Sequence, residues 1–219
     1  MQKPLIVAHR INTLEGLRSI DPKYGVEIDI RGYADRLLLN HDPIVDPSKY
    51  VEVEEYLKIF TERNMAFIIL NVKEDGYEQH LIELCAKYDI PKSKYFLLDV
   101  EFPYLYKVTR KDPFVREIAV RYSEAEPIEM AERQMKGSKS LVDWVWIDTN
   151  TRLPLDEVKD GEKIVKRLMN FKTALVCPSR WGRPEDIHVY AEEMKAKNFR
   201  LDMIMTADVY IPKWEKLFQ

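Results

Sequence analysis

Short apolar runs alternate with longer amphipathic segments from one end of the chain to the other. The runs occupy residues 5–8, 26–30, 67–72, 95–100, 118–122, 144–148, 174–177 and 203–205. They are nearly continuous in Val, Ile, Leu and aromatic residues, as parallel strands buried on both faces must be. Each gap leaves room for about one crossover helix. Residues 51–63 place Val53, Tyr56, Leu57 and Phe60 on one helical stripe, and residues 76–88 do the same with Leu81, Leu84 and Cys85. The pattern predicts further helices over 155–170 and 184–197, the last opened by Pro184 with Glu185 and Asp186. Eight strands alternating with helices predict an α/β protein of the (β/α)8 TIM-barrel class. A doubly wound open sheet is the competing layout. It is disfavoured by seven glycines in all, with neither GxGxxG nor a P-loop.

At 219 residues the chain is short for a barrel of about 250. The expectation is therefore one compact domain over residues 1–219 with trimmed connections. Hydrophobic residues make up 46%, enough for a sizeable core. The 34 basic and 37 acidic residues balance to a net charge of −3, which gives no nucleic-acid footprint and no polybasic membrane patch. No apolar run approaches the roughly 20 residues of a membrane span. The segment after Met1-Gln2-Lys3-Pro4 is too short for a signal peptide, so a cytoplasmic protein is expected. Cys85 and Cys177 lie in apolar runs without metal or disulfide spacing.

Chemistry gathers where the apolar runs end. His9-Arg10, Glu27 and Asp29, Asn71 and Lys73, Asp99, Arg121, Asp148, Ser179-Arg180 and Thr206 all follow or close a run. A further run, Leu37-Leu38-Leu39, ends in Asn40-His41-Asp42. In a barrel, the C-terminal ends of the strands build the active site. Glu27 and Asp29 are two residues apart, so on a strand they share one side. Two such carboxylates repel unless something positive stands between them. One answer is a divalent cation with oxygen ligands, Mg²⁺ or Ca²⁺; the other is a salt bridge to Arg10, Arg31 or Lys73. His9 and His41 are suited to giving and taking a proton near neutrality, whereas His80 and His188 fall in amphipathic helices and are expected at the surface. Cation, lysine, arginine and paired histidines together point to phosphoryl chemistry.

Ala8-His9-Arg10, Glu27-Ile28-Asp29 and Asn40-His41-Asp42-Pro43 resemble the HR…ExD…HD signature of the glycerophosphodiester phosphodiesterases. That family lies within the phospholipase-C-like phosphodiesterase superfamily. Leu201-Asp202-Met203-Ile204-Met205-Thr206 is similar to the family's closing VDGIITD segment. The resemblance implies a TIM barrel that cleaves a small-molecule phosphodiester to a monoester and an alcohol with Mg²⁺ or Ca²⁺. It also implies His9 and His41 as the general acid/base pair and Glu27 and Asp29 as metal ligands, with Arg10 and Lys73 facing the phosphate.

This chain departs from the family pattern at three places. The glutamate of the ExK motif is replaced in Asn71-Val72-Lys73, leaving an amide oxygen as the third metal ligand and one negative charge fewer. The first motif reads HRIN, with the usual PENT segment compressed into Asn12-Thr13-Leu14-Glu15. The usual insertion after the HD motif is missing, so glycerol recognition is not implied. Arg121 and Arg180 are candidates for binding a second anionic group of the substrate, or for ion pairing with Asp148, Glu124 or Asp99. Trp181 is a candidate for stacking on a sugar or base. Two alternatives stand beside hydrolysis: a catalytically silent barrel that binds a phosphorylated ligand, and a lyase-like transfer that forms a cyclic phosphate.

Overall fold

The computed structural model describes residues 3–110, 115–137, 139–156, 158, 159 and 161–219. Two compact units emerge, Val7–Leu105 and Tyr106–Gln219 together with the segment up to Ile6.

In the first unit the strands are β1 (Leu5–Ala8, entering at Val7), β2 (Gly25–Tyr33), β3 (Arg36–Leu39), β4 (Phe67–Val72) and β5 (Tyr95–Leu98). β2 pairs in parallel with β1 on one side and β4 on the other, and β4 pairs in parallel with β5. β3 folds back antiparallel on β2, with Ile30 opposite Leu39 and Tyr33 opposite Arg36. It corresponds to the extra apolar run that ends in the HD motif. Helices α1 (Leu14–Ser19), α2 (Val53–Glu62) and α3 (Glu78–Lys87) fill the crossovers. Thr13 caps α1 by accepting a hydrogen bond from the Gly16 amide. The predicted stripe of α2 is the face that packs, for Val53, Tyr56, Leu57 and Phe60 are all buried.

The second unit carries the parallel strands Ala119–Tyr122, Trp144–Ile147, Lys172–Val176 and Met203–Thr206, joined in that order. The amide of Leu5 donates to the Asp202 carbonyl at 2.9 Å. Cys85 and Cys177 are buried; His80 and His188 are exposed, as expected. Among the described residues no helix is long and apolar enough to cross a membrane.

The helix expected over 155–170 is a correction. Among the described residues only Ile164–Leu168 is helical there, preceded by a small antiparallel ribbon of Val158–Lys159 with Glu162–Lys163. Gly161 turns that ribbon with φ +78°, a conformation incompatible with a continuous helix. Glu157 and Asp160 of the expected helix, like Met1 and Gln2 of the N-terminal expectation, lie outside the described residues. Helix Asp186–Ala196 begins two residues after Pro184.

Gly25 shows how tightly the site strand is seated. A Cβ there would lie 2.8 Å from the Val7 side chain and 3.0 Å from the Phe67 carbonyl, one on each neighbouring strand. Gly25→Ala is expected to lower unfolding stability by about 1–3 kcal/mol, the usual cost of overpacking. Urea denaturation checks this, and an unchanged midpoint would contradict the close seating of β2 between β1 and β4.

Candidate active site

Glu27 and Asp29 project from the same side of β2 and are each only 1% exposed. Parallel register sets Asp29 beside Asn71 on β4. Four donors meet the two carboxylates. The Arg10 amide donates to Glu27 Oε2 at 2.8 Å, and Asn71 Nδ2 donates to Glu27 Oε1 at 2.9 Å and lies 3.4 Å from Asp29 Oδ1. Lys73 Nζ stands 3.1 Å from Asp29 Oδ1, and Asn12 Nδ2 donates to Asp29 Oδ2 at 2.9 Å. Arg10 Nε is 3.9 Å from Asp29 Oδ2, and His9 Nε2 is 3.9 Å from Glu27 Oε2.

Local backbone geometry makes these contacts possible. Arg10 adopts a left-handed conformation, φ +56°, which costs a non-glycine residue roughly 1 kcal/mol. With the Arg10 amide already on the Glu27 carboxylate, that turn brings the next amide, of Ile11, to the Glu27 carbonyl at 2.9 Å. Asp99, after β5, is also left-handed at φ +60° and brings its Oδ2 within 3.9 Å of Lys73. Both left-handed residues lie at strand ends of the same unit, each with a charged side chain near Asp29 or its partner Lys73.

His41 follows β3. Its Nδ1 hydrogen bonds with Asp42 Oδ1 at 2.9 Å, and the preceding Asn40 amide donates to the Asp29 carbonyl at 3.0 Å. The hydrogen bond from His41 holds the Asp42 carboxyl below its ordinary range. The residues expected in the site thus divide into three sets. His9, Arg10, Glu27, Asp29, Asn71 and Lys73 are joined by direct side-chain or amide contacts. His41 is tied to them through the main chain of its neighbour. Arg121 and Arg180 lie in the second unit, where Arg121 is ion-paired with Asp148 at 2.8 Å. Arg180 sits with its guanidinium carbon 5.4 Å from the centre of the Trp181 ring, whose Nε1 donates to Asp148 at 2.8 Å.

Sequence reasoning missed one contributor. Asn12 mirrors Asp29, taking the Asp29 amide on its Oδ1 at 2.9 Å while donating back to the carboxylate. Its place two residues beyond His9-Arg10 was the available signal. Tyr56, read as a core residue, is fully buried with no hydrogen-bond partner on its hydroxyl. Burial first, and then the charge of Glu27, raise its phenol well above the ordinary value.

Burial, reinforced by the charge of Asp29, pushes the Glu27 carboxyl up to about 7; Asn71, the Arg10 amide and Lys73 oppose the shift. Among the described residues no group of three or more His, Cys, Asp or Glu side chains is arranged to hold a metal ion. The donors available are two carboxylates and the Asn71 amide, whose Oδ1 is buried without a hydrogen-bond partner. Hard oxygen donors of this kind, one of them orphaned, fit Mg²⁺ or Ca²⁺.

No family model matches this sequence, and no curated protein matches it. Among solved structures it resembles a crystal structure from Agrobacterium tumefaciens str. C58 described as "Putative glycerophosphoryl diester phosphodiesterase". The two superpose with a TM-score of 0.62 over 97% of this chain and 98% of the other, at 11% identity. The chain has an α/β TIM-barrel fold with eight parallel strands. At this identity the likeness concerns the fold, and the resemblance of the sequence is divergent.

A raised Glu27 has a thermodynamic consequence. Between about 4.5 and about 7 the folded chain binds the proton more tightly than the unfolded one, so stability falls as pH rises through this window. In chelator-treated protein, the stability of Glu27→Gln relative to wild type is expected to rise between pH 5 and pH 8, by on the order of 3 kcal/mol. Denaturation at several pH values reads it, and parallel curves for the two proteins would rule out a titrating Glu27.

Proposed function

We propose that this chain is a metal-dependent phosphodiesterase acting on a small-molecule diester, either glycerophosphodiester-like or a sugar- or nucleotide-linked metabolite. The observation that carries the reading is the buried Glu27–Asp29 pair, flanked by Lys73, Arg10 and His9 within 4 Å. The phosphodiesterase-like fold supports it.

Glu27, Asp29 and Asn71 would hold Mg²⁺ or Ca²⁺. When bound, such a cation supplies Lewis-acid charge against the diester oxygens. Arg10, whose side chain reaches solvent, and Lys73 hold phosphate oxygens by charge-assisted hydrogen bonds. Asp42 accepts a hydrogen bond from Nδ1–H of His41, which fixes the tautomer and leaves Nε2 to exchange a proton with the substrate. His9 and His41 divide the two proton transfers, one from the attacking oxygen and one to the leaving alkoxide. Water as the attacking group gives a monoester; a hydroxyl adjacent to the phosphate gives a cyclic product.

A second reading, a silent barrel that binds a phosphorylated ligand, draws on one observation. The Asn71 amide already donates to Glu27 and approaches Asp29, in place of a third carboxylate. A site with one negative charge fewer holds a divalent cation more weakly.

Phosphorus NMR of the protein with a panel of phosphodiesters, in Mg²⁺, Ca²⁺ or chelator, tests both readings. Metal-dependent conversion to a monoester or cyclic phosphate is expected, with a loss of at least about 100-fold in His41→Ala or His9→Ala. Full activity in either mutant would refute the acid/base assignment. Phosphate-ligand binding without turnover, with activity appearing only in Asn71→Glu, would establish the silent barrel.

A further inference from the structure

Beyond β3 the chain leaves the strand ladder, yet the main chain at His41 is held from outside. Arg31, on β2, donates from Nε at 3.1 Å and from Nη2 at 2.9 Å to the single carbonyl oxygen of His41. Its third nitrogen, Nη1, donates to Glu74 Oε1 at 2.8 Å. The other Glu74 oxygen, Oε2, accepts the Gly32 amide at 3.0 Å. Room for this junction depends on Gly32, because a Cβ there would lie 2.0 Å from the Tyr77 hydroxyl. Asn40 completes the frame by donating from Nδ2 to the Asp42 carbonyl at 2.7 Å.

The pattern differs from an ordinary surface ion pair. Such pairs add little stability, and with Glu74 partly exposed this one is no exception. Its distinctive product is orientation. All three guanidinium nitrogens are engaged in one plane, and a planar fork of this kind restricts what it grips more than a lysine does. Glu74 also directly follows Lys73, which reaches Asp29 at 3.1 Å. The loop that delivers the site's lysine therefore also delivers the carboxylate that locks Arg31.

We propose that Arg31, locked by Glu74, is a positioning residue that fixes His41, so that one clamp sets both the histidine and the Lys73 loop. The inference rests on His41 as an acid/base residue. It uses neither a metal ion nor the identity of the substrate.

The chain's four histidines allow a direct test by ¹⁵N-edited NMR of the imidazoles, with the His41 signals assigned by their loss in His41→Gln. Arg31→Met removes the fork; Arg31→Lys keeps the charge without it; Glu74→Gln weakens the lock. In all three the His41 ring signals are expected to shift and broaden while those of His80 and His188 stay in place. In turnover, kcat is expected to fall by up to about 100-fold with KM near the wild-type value. Failure of Arg31→Lys to restore kcat would separate geometry from charge. Unmoved His41 signals in any folded Arg31 variant, as shown by unchanged His80 and His188 signals, would overturn the proposal. If the wild type converts no phosphodiester, the catalytic reading falls, and the clamp is still decided by the His41 resonances.

Discussion

Two carboxylates on one strand, two residues apart and both shut away from water, are the constraint around which the first unit is organised. Desolvation and mutual repulsion each oppose this arrangement, and neither is relieved by packing. What relieves them is a ring of donors drawn from β1's exit turn, from β4 and from the segment before α1. The cost is met only in part, since the Glu27 carboxyl remains pushed up to about 7. Even with these donors in place, the strand carries more buried negative charge than its surroundings neutralise.

The same demand explains why ordinary local preferences fail there. Arg10 and Asp99 are forced into the left-handed region at strand ends, where glycine is usual. An extended Arg10 would carry the chain after it elsewhere, and with it the Ile11 amide that donates to the Glu27 carbonyl. The local strain is comparable to or smaller than the cost of leaving a buried main-chain acceptor unpaired. Asn12 serves similarly, holding Asp29 by both its main chain and its side chain.

Much of this was visible in the sequence, for identifiable reasons. Strands buried on both faces are almost uninterrupted apolar runs, so Phe67–Val72 and Leu5–Ala8 coincide with the expected segments. The stripe of α2 was legible because the helix is long enough to repeat its period. Short helices such as Leu14–Ser19 and Ile211–Leu217 show too little of it. The error over 155–170 extended the true helical period of Ile164 and Leu168 back across the turn at Gly161. In the site, Glu27 with Asp29 and Asn71 with Lys73 could be found because strand periodicity alone aligns them. The pairing of Arg31 with Glu74 and the His41 carbonyl could not, since these partners lie 10 to 43 residues away and no short-range pattern encodes it; the sequence alone makes Arg31 a candidate partner for Glu27 and Asp29 instead.

The β2–β3 hairpin turns through Ala34 and Asp35 alone, between the paired residues Tyr33 and Arg36. Turns at the tip of a hairpin are usually where a protein tolerates length changes most freely. Here the turn acts as a counting device. Adding or removing one residue slips the register by one and sends every following β3 side chain to the opposite face. The histidine after β3 would then lose its alignment with the aspartate on β2, although neither residue had been altered. Natural variation in this chain should therefore spare the length of that turn and, at position 34 with φ +53°, favour residues that accept a left-handed backbone.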